Sequence, residues 1–188
     1  MNWGRPALAA GAGLVSLVVF VGGGFAAMRL SFTQFGLIPF GGGQTLNPVV
    51  AILGILAVGV AVAFAFTLPA LALGAGWRRS LVAAVLGGIL FLLLVALVVF
   101  PTPFKIAWVF LAMAAAPALV SSVALIAVSS EAVRPAAILL LWTTALALCA
   151  VSFLIYSVFP QVPALGLILV LTSWPVLPAL AALLHSST

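Results

Sequence analysis

Acid is nearly absent from this chain. Of its 188 residues none is aspartate, and one, Glu131, is glutamate. There is one histidine, His185, and one cysteine, Cys149. Each shortage excludes a chemistry. Paired carboxylates cannot be assembled, which removes aspartyl-type acid–base catalysis. A catalytic metal site takes about three ligands from His, Cys or carboxylate, more than one chain of this composition supplies. Bis-histidine haem fails by counting, and nothing favours a single axial ligand such as His185 or Met113. A Ser–His arrangement would require His185 to reach back into the chain from its end. A lone cysteine forms no internal disulfide. The expectation is no cofactor, no metal and no catalysis.

Charge of either sign is scarce as well: charged residues make up 4% of the chain and hydrophobic ones 67%, with a mean hydropathy of +1.51. A soluble domain keeps about 25% charged residues because its surface faces water. So little charge leaves lipid as the solvent for most of the exterior. The formal net charge of +5 does not indicate nucleic acid. Arg5, Arg29, Arg78, Arg79, Lys105 and Arg134 fall singly or as one pair between apolar runs. Nucleic-acid binders gather such residues into a patch or along one helix face.

What is present is length of apolar run. Crossing a ~30 Å hydrocarbon core takes about 20 residues at ~1.5 Å rise. Runs of that kind cover 7–27, 48–73, 80–100, 104–128, 135–159 and 163–184. Apart from Lys105 at the edge of 104–128, none of them contains a charged side chain, which argues against a proton relay. Gly74-Ala75-Gly76, Pro101-Thr102-Pro103, Ser129-Ser130-Glu131 and Pro160-Gln161-Val162-Pro163 separate successive runs with helix-stopping chemistry. The first run is expected to stay as a span, because it exceeds the h-region of a signal peptide. The fold class predicted is an all-α integral membrane protein: a single transmembrane domain over 1–188, a bundle of about six transmembrane helices with short loops.

Basic residues in short loops orient such a bundle. With both termini cytoplasmic, Arg5, Arg78, Arg79 and Arg134 face inward, whereas Arg29 and Lys105 face outward. Trp3 and Trp77 then fall at the inner interface and Trp108 at the outer one. Compact spans rich in alanine and valine point to a bacterial inner membrane. Segment 28–47 is too apolar for a free loop and is expected to be interfacial or re-entrant.

Within that segment, Leu46-Asn47-Pro48-Val49 looks like the Asn-Pro turn of aquaporin half-helices. A second Asn-Pro is missing, and no arginine is placed to form the filter. Asn47 as an N-cap with Pro48 at the first helical position explains the same letters, and that reading is preferred.

The spans also carry hydroxyls. Ala145, Cys149, Ser152 and Tyr156 share one helical face by their 4-3-4 spacing. Ala114, Ala118 and Ser122 make a small-residue stripe, in a span where Pro117 frees the carbonyl of Met113. Thr172, Ser173 and Trp174 precede Pro175 and Pro178. Gly22 and Gly23 suggest the close approach of another helix, including one from a partner. Two readings follow. In one, these residues only pack helices, and the protein is an accessory or scaffold subunit of a larger membrane complex. In the other, Asn47, Ser152, Tyr156, Thr172, Ser173 and Trp174 line a path, and the protein is a small permease, channel or transporter component for an uncharged solute or lipid. The partners expected are membrane lipid and either other membrane subunits or further copies of this chain.

Overall fold

A computed structural model of the chain describes residues 4–34, 47–99, 105–128, 135–159 and 161–186. Those residues are almost all helical, with no strand among them. The elements are α1 (Gly4–Gln34), α2 (Pro48–Ala65), α3 (Thr67–Ala72), α4 (Trp77–Val99), α5 (Lys105–Val128), α6 (Pro135–Val158), α7 (Pro163–Leu171) and α8 (Ser173–Ser186). The pairs α2–α3 and α7–α8 each form one rod broken by a single residue, Phe66 and Thr172. Five helical stretches are long and apolar enough to cross a membrane: Gly4–Leu30, Pro48–Ala72, Ile106–Ile126, Pro135–Val158 and Pro163–His185. The all-α membrane-type bundle expected from the sequence is the architecture found.

The outer faces are greasy. Val18, Phe25 and Leu139 are each more than 60% exposed, and exposed valine, leucine and isoleucine recur along every rod. Water would penalise that surface by about 25 cal/mol per Å², and hydrocarbon does not. Trp77 and Trp108 also show their rings outside the bundle. Trp3 lies outside the described residues.

Antiparallel packing of α1 on α2 follows from three contacts in order: Leu30 lies on Gly54, Gly23 on Val58 and Val62, and Ser16 on Ala65. Both glycines are needed for closeness, since a Cβ at 23 would come within 2.7 Å of Val62 and one at 54 within 2.8 Å of Leu30. The central rod is α5, with 56% of its spanning window buried, against 17% for α6 at the periphery. It packs against α3, α4, α6 and α8. Its stripe of Ala114, Ala118 and Ser122 is buried, the arrangement in which small side chains let backbones approach.

The reversal between α3 and α4 is a Schellman turn. Gly74 holds φ +89, its N–H bonds to Leu71 O at 2.9 Å, and the Ala75 N–H bonds to Ala70 O at 3.0 Å. Only glycine takes that dihedral without strain. The helix after it starts at Trp77, so Arg78 and Arg79 occupy its first turn rather than a loop. Likewise α1 continues through Gln34, which makes Met28–Gln34 helical. The remainder of the 28–47 segment up to residue 46, with Gly41-Gly42-Gly43, lies outside the described residues, as do Glu131 and Arg134.

Candidate functional site: a crossing of proline-broken helices

Proline in a helix removes an N–H and so orphans the carbonyl four residues earlier. In a membrane interior no water repairs the loss. Three prolines of this chain do this at one place. Pro69, Pro117 and Pro178 line a single crevice with Gly13, Ser16, Phe66, Val120 and Trp174. The carbonyls they release belong to Ala65, Met113 and Trp174.

Two of the released carbonyls are approached by a hydroxyl from another rod, and the third is covered by bare backbone. The Ser16 hydroxyl of α1 donates to Ala65 O at 2.7 Å, and also lies 2.9 Å from Ala12 O in its own helix. The Ser173 hydroxyl at the start of α8 approaches Met113 O of α5 at 3.4 Å, while its short bond of 2.7 Å goes to Val170 O. Gly13 lies directly against the Trp174 carbonyl, where any Cβ would overlap it, and 3.2 Å separates that position from Pro178 Cγ. The three rods are thus fastened across the breaks that weaken them.

Aromatic rings fill the space beside the crossing. Phe20 sits 5.8 Å from Phe66, 5.6 Å from Phe91 and 5.0 Å from Trp174, and Phe66 lies 5.5 Å from Trp174. All four side chains are fully buried. Gly87 of α4 packs against the Phe66 ring, which holds Phe66 at the α2–α3 break. The crevice that remains has no room for a water molecule. Trp174 Nε1 is nevertheless without a hydrogen-bond partner, and so are the buried hydroxyls of Ser121, Ser122 and Ser152.

The residues singled out from sequence do not form one cluster. Ser173 and Trp174 stand at the crossing, with Thr172 at the adjoining break, where its hydroxyl bonds to Leu169 O at 2.6 Å. Ser152 and Tyr156 are elsewhere, on the face of α6 that meets α7. A Cβ on Gly166 would come within 2.5 Å of Ser152 O and 3.0 Å of Tyr156, and the Tyr156 ring packs 5.3 Å from Phe110. Asn47 is exposed at the far end of α2, ~27 Å along the helix from Ala65. Its side chain accepts from Val49 N at 2.9 Å with Pro48 in the first turn, the geometry of an N-cap. Gly22 is exposed with nothing near its open side, whereas Gly23 is packed inward on α2.

Most other hydroxyls among the described residues bond within their own rods. Thr143 and Thr144 both donate to Leu140 O, Ser157 to Phe153 O and Thr67 to Phe64 O. Back-bonding of this kind satisfies a hydroxyl without creating a surface for a ligand. Ser16, Gly13 and Pro69 are the site residues that sequence reasoning passes over. Pro69 inside an apolar run marks Ala65 O as an orphan, but nothing in the letters says which rod supplies the donor.

The chain matches no protein-family model, no curated protein and no solved structure. Function is therefore read from its own geometry.

Proposed function

We propose that this chain is a six-span, non-catalytic subunit that acts as a scaffold within a larger membrane assembly, with α4 as the sixth crossing. The observation that carries the reading is the closed crossing. Where a carrier of solutes needs a wettable path at mid-bundle, this chain has packed rings and a crevice too narrow for water. Two of the three carbonyls released by proline face hydroxyls of this chain and the third is packed against Gly13, which supports a role in cohesion. The outer faces support the same role, because Gly22 leaves bare backbone on the exposed side of α1, where a partner helix packs closely. The scarcity of acid–base groups supports the absence of catalysis. In this reading both termini are cytoplasmic, four basic residues against two setting the orientation, in a bacterial plasma membrane.

A second reading has one observation in its favour. Discontinuous helices meeting near mid-bundle are the hallmark of transporter sites, and the Trp174 indole N–H has no acceptor there. On that reading the crossing opens to pass an uncharged solute or lipid. Extraction from the native membrane in mild detergent, followed by native mass spectrometry, separates the two. The scaffold reading expects stoichiometric partner chains. A lone chain or homo-oligomer that conducts neutral solutes in liposomes would replace it with transport.

A further inference from the structure

The rod formed by α7 and α8 changes its winding at Thr172. The dihedral angles there, φ −64 and ψ −18, are closer to those of a 3₁₀ turn than to those of an α-helix. The Thr172 N–H is shared between Ile168 O at 3.2 Å and Leu169 O at 3.1 Å, one partner for each winding. Two hydroxyls favour the tight form. Thr172 Oγ1 donates to Leu169 O at 2.6 Å and Ser173 Oγ to Val170 O at 2.7 Å, each three residues back. Pro175 withholds the N–H that would bond to Leu171 O and carry the α pattern across the joint. A short 3₁₀ stretch inside a longer helix is where such rods hinge.

The two sides of the joint have different neighbours. Gly13 under the Trp174 carbonyl fixes α8 to α1, whereas α7 packs chiefly on α6, with Gly166 against Ser152 O and Tyr156. Only Gly166 and Val170 of α7 are buried, while Leu165, Leu167 and Ile168 are exposed. Turning α7 about its axis therefore takes little apolar area out of the core. Where α7 meets α6, the Ser152 hydroxyl is buried without a partner, so that contact is not fully satisfied as it stands. At the joint, the Met113 carbonyl released by Pro117 stands 3.4 Å from the Ser173 hydroxyl, at the outer limit of a hydrogen bond. One donor thus stands between two carbonyls, Val170 O on the turning side and Met113 O on the fixed side.

We propose that Thr172 is a rotary joint with two settings and that the Ser173 hydroxyl latches each of them. In the setting described above, the joint is 3₁₀-wound and the hydroxyl bonds to Val170 O. In the other, the Thr172 N–H bonds to Ile168 O alone, Val170 O turns away, and the hydroxyl moves to Met113 O. One hydrogen bond is exchanged for another, which keeps the two settings close in free energy. Each residue that passes from 3₁₀ to α winding turns α7 by about 20° against α8, the difference between 3 and 3.6 residues per turn. The face that α7 shows to lipid or to a neighbouring chain turns with it. The joint goes beyond the scaffold reading and stands whether or not partner chains are found.

The test is infrared spectroscopy of the full chain in phosphatidylcholine bilayers, with carbon-13 at the methionine carbonyls. Met1 and Met28 carry the label too, so the Met113 band is the difference between the natural chain and Met113→Leu. A carbonyl that accepts a hydrogen bond absorbs at lower frequency, and the absorption is faster than any exchange at the joint. Two components are expected. Ser173→Ala should remove the lower one, and Pro117→Ala, which gives Met113 O a helical N–H, should remove the higher one. A nitroxide on Ile168→Cys, in a Cys149→Ala background, should show two mobility components in the same ratio. No proline lies four residues beyond Val170, so only Met113 O depends on the hydroxyl. Ser173→Ala should therefore shift the nitroxide ratio about 3- to 30-fold toward the 3₁₀ setting, the range for hydroxyl bonds between membrane helices. A single amide component in the natural chain, at either frequency, overturns the joint, and so do two components that survive Ser173→Ala. A split band with a nitroxide ratio unmoved by that substitution overturns it as well. None of these results touches the scaffold reading, which native mass spectrometry decides.

Discussion

Replacing Ser16 by alanine removes one hydroxyl from a helix that has few polar atoms to lose. In the folded chain that hydroxyl is buried and donates to Ala65 O at 2.7 Å, the carbonyl that Pro69 deprives of its helical N–H. Its loss leaves the carbonyl buried with no donor and no room nearby for a water to replace it. An unsatisfied buried acceptor costs about 1–3 kcal/mol, and hydroxyl bonds between membrane helices are worth about 0.6–2 kcal/mol. The expected destabilisation is therefore about 1–2 kcal/mol. Unfolding in mild detergent with a denaturant titration would measure it, followed by tryptophan emission, because Trp174 packs 5.0 Å from Phe20 and 5.5 Å from Phe66 at the same crossing. The decisive arm is Pro69→Ala, which gives the helix back an N–H for Ala65 O. In that background Ser16→Ala should cost much less, leaving a coupling of about 1 kcal/mol. Strict additivity of the two substitutions would refute the account of Ser16 as the replacement donor.

Further substitutions test the other contacts. Gly13→Ala places a methyl on the Trp174 carbonyl and should force α1 from α8, lowering stability by about 1–3 kcal/mol in the same titration, as overpacking does. Asn47→Ala removes the cap on α2 and should cost about 1 kcal/mol without altering any solute flux, whereas a flux that falls with it would return Asn47 to a conduction path. Gly22→Leu should leave the isolated chain as stable as before, since nothing lies within 4 Å of that position. In native mass spectrometry of the membrane extract the same substitution should strip away a partner subunit. Retention of every partner would remove this face of α1 from the scaffold reading.

The sequence reveals this fold unevenly, and lipid explains the unevenness. Run length pointed to the five stretches long and apolar enough to cross a membrane, and Asn47-Pro48 foretold the start of α2, because these signals are local and covalent. Pro117 pointed to the Met113 carbonyl for the same reason. Which face of each rod looks inward was much harder to read. In water a helix shows its inner face as an apolar stripe, but here Val18 outside and Val62 inside are the same residue type. Pairings between rods, such as Ser16 with Ala65 or Gly13 with Trp174, depend on rotation and register that such a pattern does not encode. The breaks at Phe66 and Thr172 escaped for a related reason. Neither residue is a helix breaker: Phe66 is held by Gly87 of α4, and the Thr172 hydroxyl bonds back to Leu169 O.

The length of α1 carries one more consequence. Between Arg5 and Arg29 its uncharged stretch, 6–28, has 23 residues and measures about 34 Å, against a hydrocarbon slab of about 30 Å. Such a rod leans or thickens the lipid around it. A thinner bilayer asks it to lean further, and Gly13 and Ser16 move with it relative to the carbonyls they cover. Membrane thickness thus acts as a mechanical load on the proline crossing, delivered along the one helix that grips two of its three breaks.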